Sequence, residues 1–200
     1  MSKIIGLTGG IATGKSTVSK IFKEAKIPVI DTDVIAKQLL TPRSETFNQI
    51  IEYFGEDIIT TSGEVNRNKL AQLIFNDEEA RAMVNAIIHP KVKERVQLEI
   101  KHFKDLQEPI IVVDVPLLFE TNFHTIMDKT VLVYTQKKVQ IERLMARDMI
   151  DKAYAIKKIE SQMPLREKRK LADYVIDNSK SILSTKKAFN DVLKSIQKER

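Results

Sequence analysis

The sequence predicts an α/β fold, a parallel five-stranded sheet flanked by helices. Three observations predict it. Short β-branched runs recur along the 200 residues, stretches with helical spacing separate them, and a glycine-rich turn joins the first run to the first helix. Strands that alternate with helices imply parallel pairing through right-handed crossovers.

The elements follow in order. Lys3 to Leu7 reads as a short buried strand, and Val18, Ile21, Phe22 and Ala25 then recur at helical spacing. Pro28-Val29-Ile30-Asp31 reads as the second strand. Asp33 is a candidate N-cap for the segment carrying Ile35, Ala36, Leu39 and Leu40. From Thr41 to about Leu106 the pattern is helical, with stripes at Phe47, Ile50, Ile51 and Phe54, at Leu70, Leu73 and Ile74, and at Met83, Val84, Ile87 and Ile88. Pro90 separates the last of these from a stripe at Val92, Val96, Ile100 and Phe103, so His89-Pro90 is placed between two helices. Within this stretch only Ile58-Ile59, beside the Ser62-Gly63 turn signal, suggests a strand.

Ile110 to Val115 is a continuous apolar run ending in Asp114-Val115, as expected of a strand buried on both faces. Val131 to Tyr134 is another, followed by a helix carrying Val139, Ile141, Leu144 and Met145. Tyr174-Val175-Ile176 is the fifth strand, and Leu183, Phe189, Val192, Leu193 and Ile196 line a final amphipathic helix. The expected organisation is one unit with a core at 1–33, 107–147 and 170–200. A helical substrate-binding insertion occupies 34–106 and a lid about 148–169.

Composition narrows the function. Apolar residues make up 42% and charged residues 30%, a globular balance. No apolar run approaches the ~18 residues of a membrane helix, and the first residues lack a secretory pattern. There are no cysteines, which excludes disulfides and thiolate metal sites and fits a reducing cytoplasm. No membrane or nucleic-acid partner is expected, and a monomer is favoured while the oligomeric state is left open. The net charge of +6 is concentrated. Lys137 to Lys170 holds eleven Lys/Arg against five Asp/Glu, while the rest balances at 22 each. Such a segment suits a polyanion such as a polyphosphate, or is a plain solvated face.

Gly9-Gly10-Ile11-Ala12-Thr13-Gly14-Lys15-Ser16 fits G-x-x-x-x-G-K-[ST] between a strand and a helix, the Walker A context of a P-loop NTPase-type fold. Phosphate oxygens need several donors converging from a tight loop, which backbone amides and the positive end of the helix supply. Lys15 would reach the β- and γ-phosphates, Ser16 would place its hydroxyl on Mg²⁺, and Thr17 completes the ATP-binding run. If the chain stays extended through Asp31-Thr32-Asp33, both carboxylates face one side at the crevice end of the sheet. Asp33 is the candidate base for an acceptor hydroxyl, and capping is its alternative role.

Asp114 ends a buried strand, where an aspartate can hold Mg²⁺ through water or begin a turn before Pro116. Glu120 is a candidate metal-shell or substrate group. Arg143 and Arg147 lie four apart on one helix face and suit spread phosphoryl charge. Asp148 to about Met163 is the candidate flap over them, excluding water from the transfer. His89 reads first as structural and second as a substrate contact. Asn178 reads as a turn or as a contact to base or ribose. On these residues alone, a nucleoside or nucleotide kinase and a P-loop ATPase switch acting on nucleic acid remain open. Against the switch, the chain has no Asn-Lys-x-Asp motif and no aromatic-rich basic strand.

Together the motifs resemble the dephospho-coenzyme A kinase family over nearly the whole chain. The resemblance is carried by Gly6 to Thr17, Asp31 to Ala36, Ile88-His89-Pro90, Val115 to Glu120, Arg143 to Asp148, Gln162-Met163-Pro164 and Ala172 to Asn178. It implies ATP and Mg²⁺ as cofactors and 3′-dephospho-coenzyme A as the small-molecule substrate, giving ADP and coenzyme A. It implies Asp33 as the base for the ribose 3′-hydroxyl and Lys15 and Arg143 as phosphate-contacting catalytic residues. Arg147 and Asn178 are assigned to the ATP side, and His89, Leu117 and Glu120 to the acceptor side. Lys158 stands where the family often has Arg, keeping the charge without the bidentate fork.

Overall fold

The computed structural model describes residues 2–199. The chain forms two compact units, one from the residues up to Ile30 together with those from His102 onward, the other from Asp31 to Lys101.

The first unit is built on a five-stranded sheet of order β2-β3-β1-β4-β5. The strands are β1 (Lys3–Gly9), β2 (Val29–Asp31), β3 (Ile110–Asp114), β4 (Lys129–Tyr134) and β5 (Tyr174–Asp177). β1 pairs in parallel with both β3 and β4, and β4 with β5. Every residue of β3 and all but the first of β1 are buried, which is why these strands carry continuous apolar runs instead of an alternating pattern. β2 and β3 lie on one side of β1, and β4 and β5 lie on the other, so the connections change direction beside β1. That reversal opens a crevice outside its C-terminal end.

The helices of this unit are α1 (Lys15–Glu24), α6 (Lys137–Asp148), α7 (Lys152–Glu160), α8 (Leu165–Leu171) and α9 (Ile182–Lys198). α1 buries Val18, Ile21 and Phe22, and α9 buries Phe189 and Ile196, in one cluster with Ile5, Leu7, Val112, Val131 and Val133. Phe22 and Phe189 meet edge to face at 4.7 Å between ring centroids.

The second unit is helical, as its periodicity predicts: α2 (Thr32–Leu39), α3 (Glu45–Phe54), α4 (Arg67–Asn76) and most of α5 (Glu78–Asp105). Phe47, Ile50, Ile58, Val65, Leu70 and Val84 form its core. Two local expectations are corrected. Ile58 ends a short 3₁₀ turn, and Ile59 makes only an isolated antiparallel bridge to Val65. Pro90 does not separate two helices: α5 runs unbroken for 28 residues with Pro90 inside it. Proline removes one amide donor there, and the buried residues on both sides, Val84 and Val92, Val96 and Ile100, keep the helix in one piece. Among the described residues no helix is long and apolar enough to cross a membrane.

Phe22 is wholly buried. Phe22→Ala is expected to cost about 3–5 kcal/mol through lost burial and the cavity beside Phe189. Chemical denaturation of the two proteins measures the difference, and a loss below about 1 kcal/mol would mean that the α1–α9 contact is not a main support of the sheet.

Candidate active site

The turn after β1 curls because two of its residues adopt left-handed backbone. Ala12 has φ 57° and Gly14 has φ 85°. For alanine that costs of order 1 kcal/mol, so the surroundings must hold it. Gly14 is required for a second reason: a Cβ there would overlap the Asn178 side-chain amide. Gly14 is also the N-cap of α1 and offers no side-chain cap, so the first amides of that helix keep their donors for a ligand.

Side chains from distant elements hold this loop. Asn178, buried just past β5, donates its amide to the Thr13 carbonyl at 2.8 Å and accepts from Thr185 of α9 at 2.7 Å. Its expected contact to base or ribose is therefore joined by a bracing task that the sequence did not suggest. Thr13 turns its own hydroxyl back to the Gly10 carbonyl at 2.9 Å. Gln140 of α6 donates to the Ile11 carbonyl at 2.7 Å, and Gln162 accepts from the Ile11 amide at 2.8 Å.

The charges behind the loop come in pairs. Lys15 donates to Asp114 at the end of β3, so the candidate Mg²⁺ aspartate is engaged by the loop's own lysine. Ser16 is exposed at the start of α1. Lys168 of α8, with no exposed side-chain surface, bonds Glu120 at 2.8 Å and the Pro116 carbonyl at 3.2 Å. Thr8 of β1 bonds the same carbonyl at 3.1 Å, which ties α8 to the strand that enters the loop. Burial pushes the Lys168 ammonium below its ordinary value, Glu120 opposes that, and the nearby charge of Lys15 adds to it. Lys168 lies in the run Arg166 to Lys170, which reads as a solvated basic face, so its sequence neighbourhood hides its burial.

Two buried polar atoms at this site have no partner among the described residues: Arg143 Nη1 and Glu120 Oε2. Arg143 Nη1 lies 3.8 Å from the point where a Gly14 Cβ would stand, so the guanidinium reaches the phosphate loop. Leaving a charged donor buried and unmatched costs of order 1–3 kcal/mol or more, a cost that an anion in the loop would remove. Arg147, one turn further along α6, instead forks onto its neighbour Asp148 at 2.7 and 3.3 Å. Lys158 bonds the same carboxylate at 2.7 Å. Arg147 and Lys158 together hold Asp148 down at about 2. Leu117, on the loop after β3, is exposed.

In the helical unit the residue that caps α2 is Asp31, not Asp33. The chain leaves extended geometry at Thr32, and the Asp31 carboxylate accepts from the amides of Asp33 and Val34 at 2.9 and 3.2 Å. The two carboxylates therefore do not line up along a strand. Asp33 sits in the first turn of α2, exposed, and its carboxylate makes no hydrogen bond or ion pair among the described residues. His89 is half-buried within α5, and burial lowers its pKa from the ordinary value, which favours the neutral ring.

The chain as a whole is similar to known proteins. The family model described as dephospho-CoA kinase matches residues 3–184. A dephospho-CoA kinase of Oceanobacillus iheyensis is 43% identical over 193 residues, 96% of this chain and 97% of that one. Among solved structures, a Thermus thermophilus protein superposes with a TM-score of 0.81 at 31% identity, covering 98% of each chain. A Campylobacter jejuni dephospho-CoA kinase superposes with a TM-score of 0.74 at 26% identity over 99% of this chain and 98% of that one. With a curled, uncapped phosphate loop at the switch point of a five-stranded parallel sheet, and relatives of this likeness along its whole length, the chain belongs to the dephospho-CoA kinase family.

Proposed function

We propose that this ATP-dependent kinase transfers the γ-phosphoryl group of ATP to the ribose 3′-hydroxyl of 3′-dephospho-coenzyme A, releasing ADP and coenzyme A. The observation that carries the reading is the buried, unpartnered Arg143 Nη1 beside a phosphate loop whose helix has no side-chain cap. An anion is the ligand that such a set of donors lacks.

In this reading, Gly9 to Thr17 cradle the triphosphate and Lys15 leaves Asp114 for the phosphates. Arg143 neutralises charge that builds on the transferred group, and Arg147 joins it on the ATP side. Asp33 takes the proton of the 3′-hydroxyl as its oxygen bonds to the γ-phosphorus and the bridge to the β-phosphate breaks. The capping role taken by Asp31 leaves the Asp33 carboxylate available for that proton. Leu117, Glu120 and His89 are assigned to the acceptor.

Mg²⁺ belongs to the same proposal. Among the described residues no three His, Asp or Glu side chains are grouped to hold a metal. An ion brought in with ATP would be held by Ser16 and Asp114. The ion would supply charge neutralisation across the β- and γ-phosphates.

Asp33→Asn is expected to keep ATP affinity while transfer falls about a hundredfold to ten-thousandfold. Steady-state assays beside an ATP titration separate the two, and near-normal transfer would remove Asp33 from the chemistry. Lys15→Ala is expected to abolish transfer, and a variant that still turns over would contradict the phosphate-loop assignment. Radiolabelled ATP offered with a panel of acceptors should label 3′-dephospho-coenzyme A in preference to any nucleoside monophosphate. The opposite preference would make the protein a nucleotide kinase.

A further inference from the structure

The phosphate loop is gripped at Ile11 by two side chains that no part of the phosphate chemistry requires. Gln140 holds the Ile11 carbonyl and Gln162 holds the Ile11 amide, so two successive peptide planes of the loop are fixed from outside. Their origins differ. Gln140 is buried in α6, a fixed part of the sheet unit. Gln162 lies in the link between α7 and α8, the end of the expected flap.

That link is itself anchored. The next residue, Met163, donates its amide to Glu120 at 3.2 Å, and Glu120 is held by the buried Lys168 of α8. One carboxylate oxygen thus receives both a backbone amide of the link and an ammonium of the helix that follows. The chain of bonds runs from α8 through Glu120 to the link, and from the link through Gln162 to the loop. The Gln162 contact also spares the donors that a triphosphate needs most, because the uncapped amides lie at the α1 end of the loop. A cavity of about 490 Å³ is lined by Gln140, Ile159, Gln162, Pro164 and Leu165, so open space lies between α6 and the link and the link is not packed into a solid core.

We propose that Gln162 is a positioning residue that couples the α7–α8 link to the phosphate loop, so that the loop takes its transfer-competent shape only when the link is docked. The proposal rests on the reading of Gly9 to Thr17 as the ATP site. The physical basis is strain. Ala12, the next residue, is held in left-handed backbone, and a loop of that shape persists only where outside bonds over-determine it. When the link is undocked, the Ile11 amide is released, the loop apex relaxes and water gains access to the phosphates. Docked, the same link closes the loop and shields it. Lid position and loop geometry therefore change together, through one hydrogen bond.

The test uses the full chain with Gln162→Met, which keeps the side-chain length but cannot accept the Ile11 amide. Gln162→Ala is the second variant should methionine disturb the link. Three quantities are measured: the unfolding midpoint, ATP binding by titration, and the ratio of ATP hydrolysed to coenzyme A formed. The expected result is an unfolding midpoint within about 4 °C of the parent, the loss of one hydrogen bond, ATP affinity changed less than about threefold and kcat for transfer reduced about tenfold, with the hydrolysis-to-transfer ratio raised at least about threefold. A merely structural role would lower the midpoint and leave that ratio unchanged. Gln140→Met should act on the same residue of the loop, so the double variant is expected to lose less than the product of the two single losses. An unaltered ratio in both Gln162 variants, or losses that multiply in full, would overturn the coupling. A parent protein that does not bind ATP in the same titration would overturn the phosphate-loop reading instead, which keeps the two failures apart.

Discussion

The rest of the structure depends on a short piece of backbone kept in a shape it would not hold alone. A loop that offers its amides to phosphate must leave them unpaired, and this one places Ala12 and Gly14 in left-handed conformation with no side-chain cap on the helix that follows. Unpaired donors and strained dihedrals both favour collapse or relaxation. The fold opposes that with bonds from outside: Asn178 on Thr13, Gln140 and Gln162 on Ile11. Each net hydrogen bond is worth only ~1 kcal/mol, but together they exceed the strain that they hold. The five-stranded sheet matters here as the frame that brings the ends of β1, β4 and β5 to one edge, where those side chains converge.

Electrostatics at the same edge follow a second constraint. Two ammonium groups, of Lys15 and Lys168, are near enough for one to depress the other, and burying like charges together is unfavourable. Each is matched by a carboxylate at or just beyond the end of β3, Asp114 for Lys15 and Glu120 for Lys168. The pairs differ in use. Lys15 lies at the end of the loop, and its side chain keeps 18% of its surface exposed. Lys168 has no exposed surface and two fixed acceptors, so its pair serves as an anchor. Arg143 has no such partner at Nη1, and the site is left short of one anion. The basic run from Lys137 to Lys170 is therefore not one uniform face. Lys137 pairs with Glu160, Arg147 and Lys158 share Asp148, Lys168 is interior, and Arg143 reaches the loop.

Several features were legible because they depend on near neighbours in the chain. The strand–loop–helix pattern around Gly9 to Ser16 is local, and so are the apolar runs of β1, β3 and β4 and the helical stripes of α3 and α5. The local rule also failed in instructive places. Proline reads as a helix break because it lacks a donor, yet α5 passes through Pro90, since burial on both sides outweighs one lost bond. Asp31 and Asp33 are both sound N-cap types, and only the point where the backbone turns decides between them.

By itself the sequence determined the parallel sheet, the phosphate loop and the helical character of most of residues 34–106, because short-range periodicity and one eight-residue motif carry them. The tertiary structure alone decided which polar side chains serve the loop. Gln140 lies 129 residues from Ile11, Gln162 lies 151 away and Asn178 lies 165 from Thr13. A glutamine on an amphipathic helix, or a lysine in a basic run, has the same local signature whether it meets water or a buried backbone. Its partner is chosen by where the folded chain brings it, and spacing along the sequence does not record that.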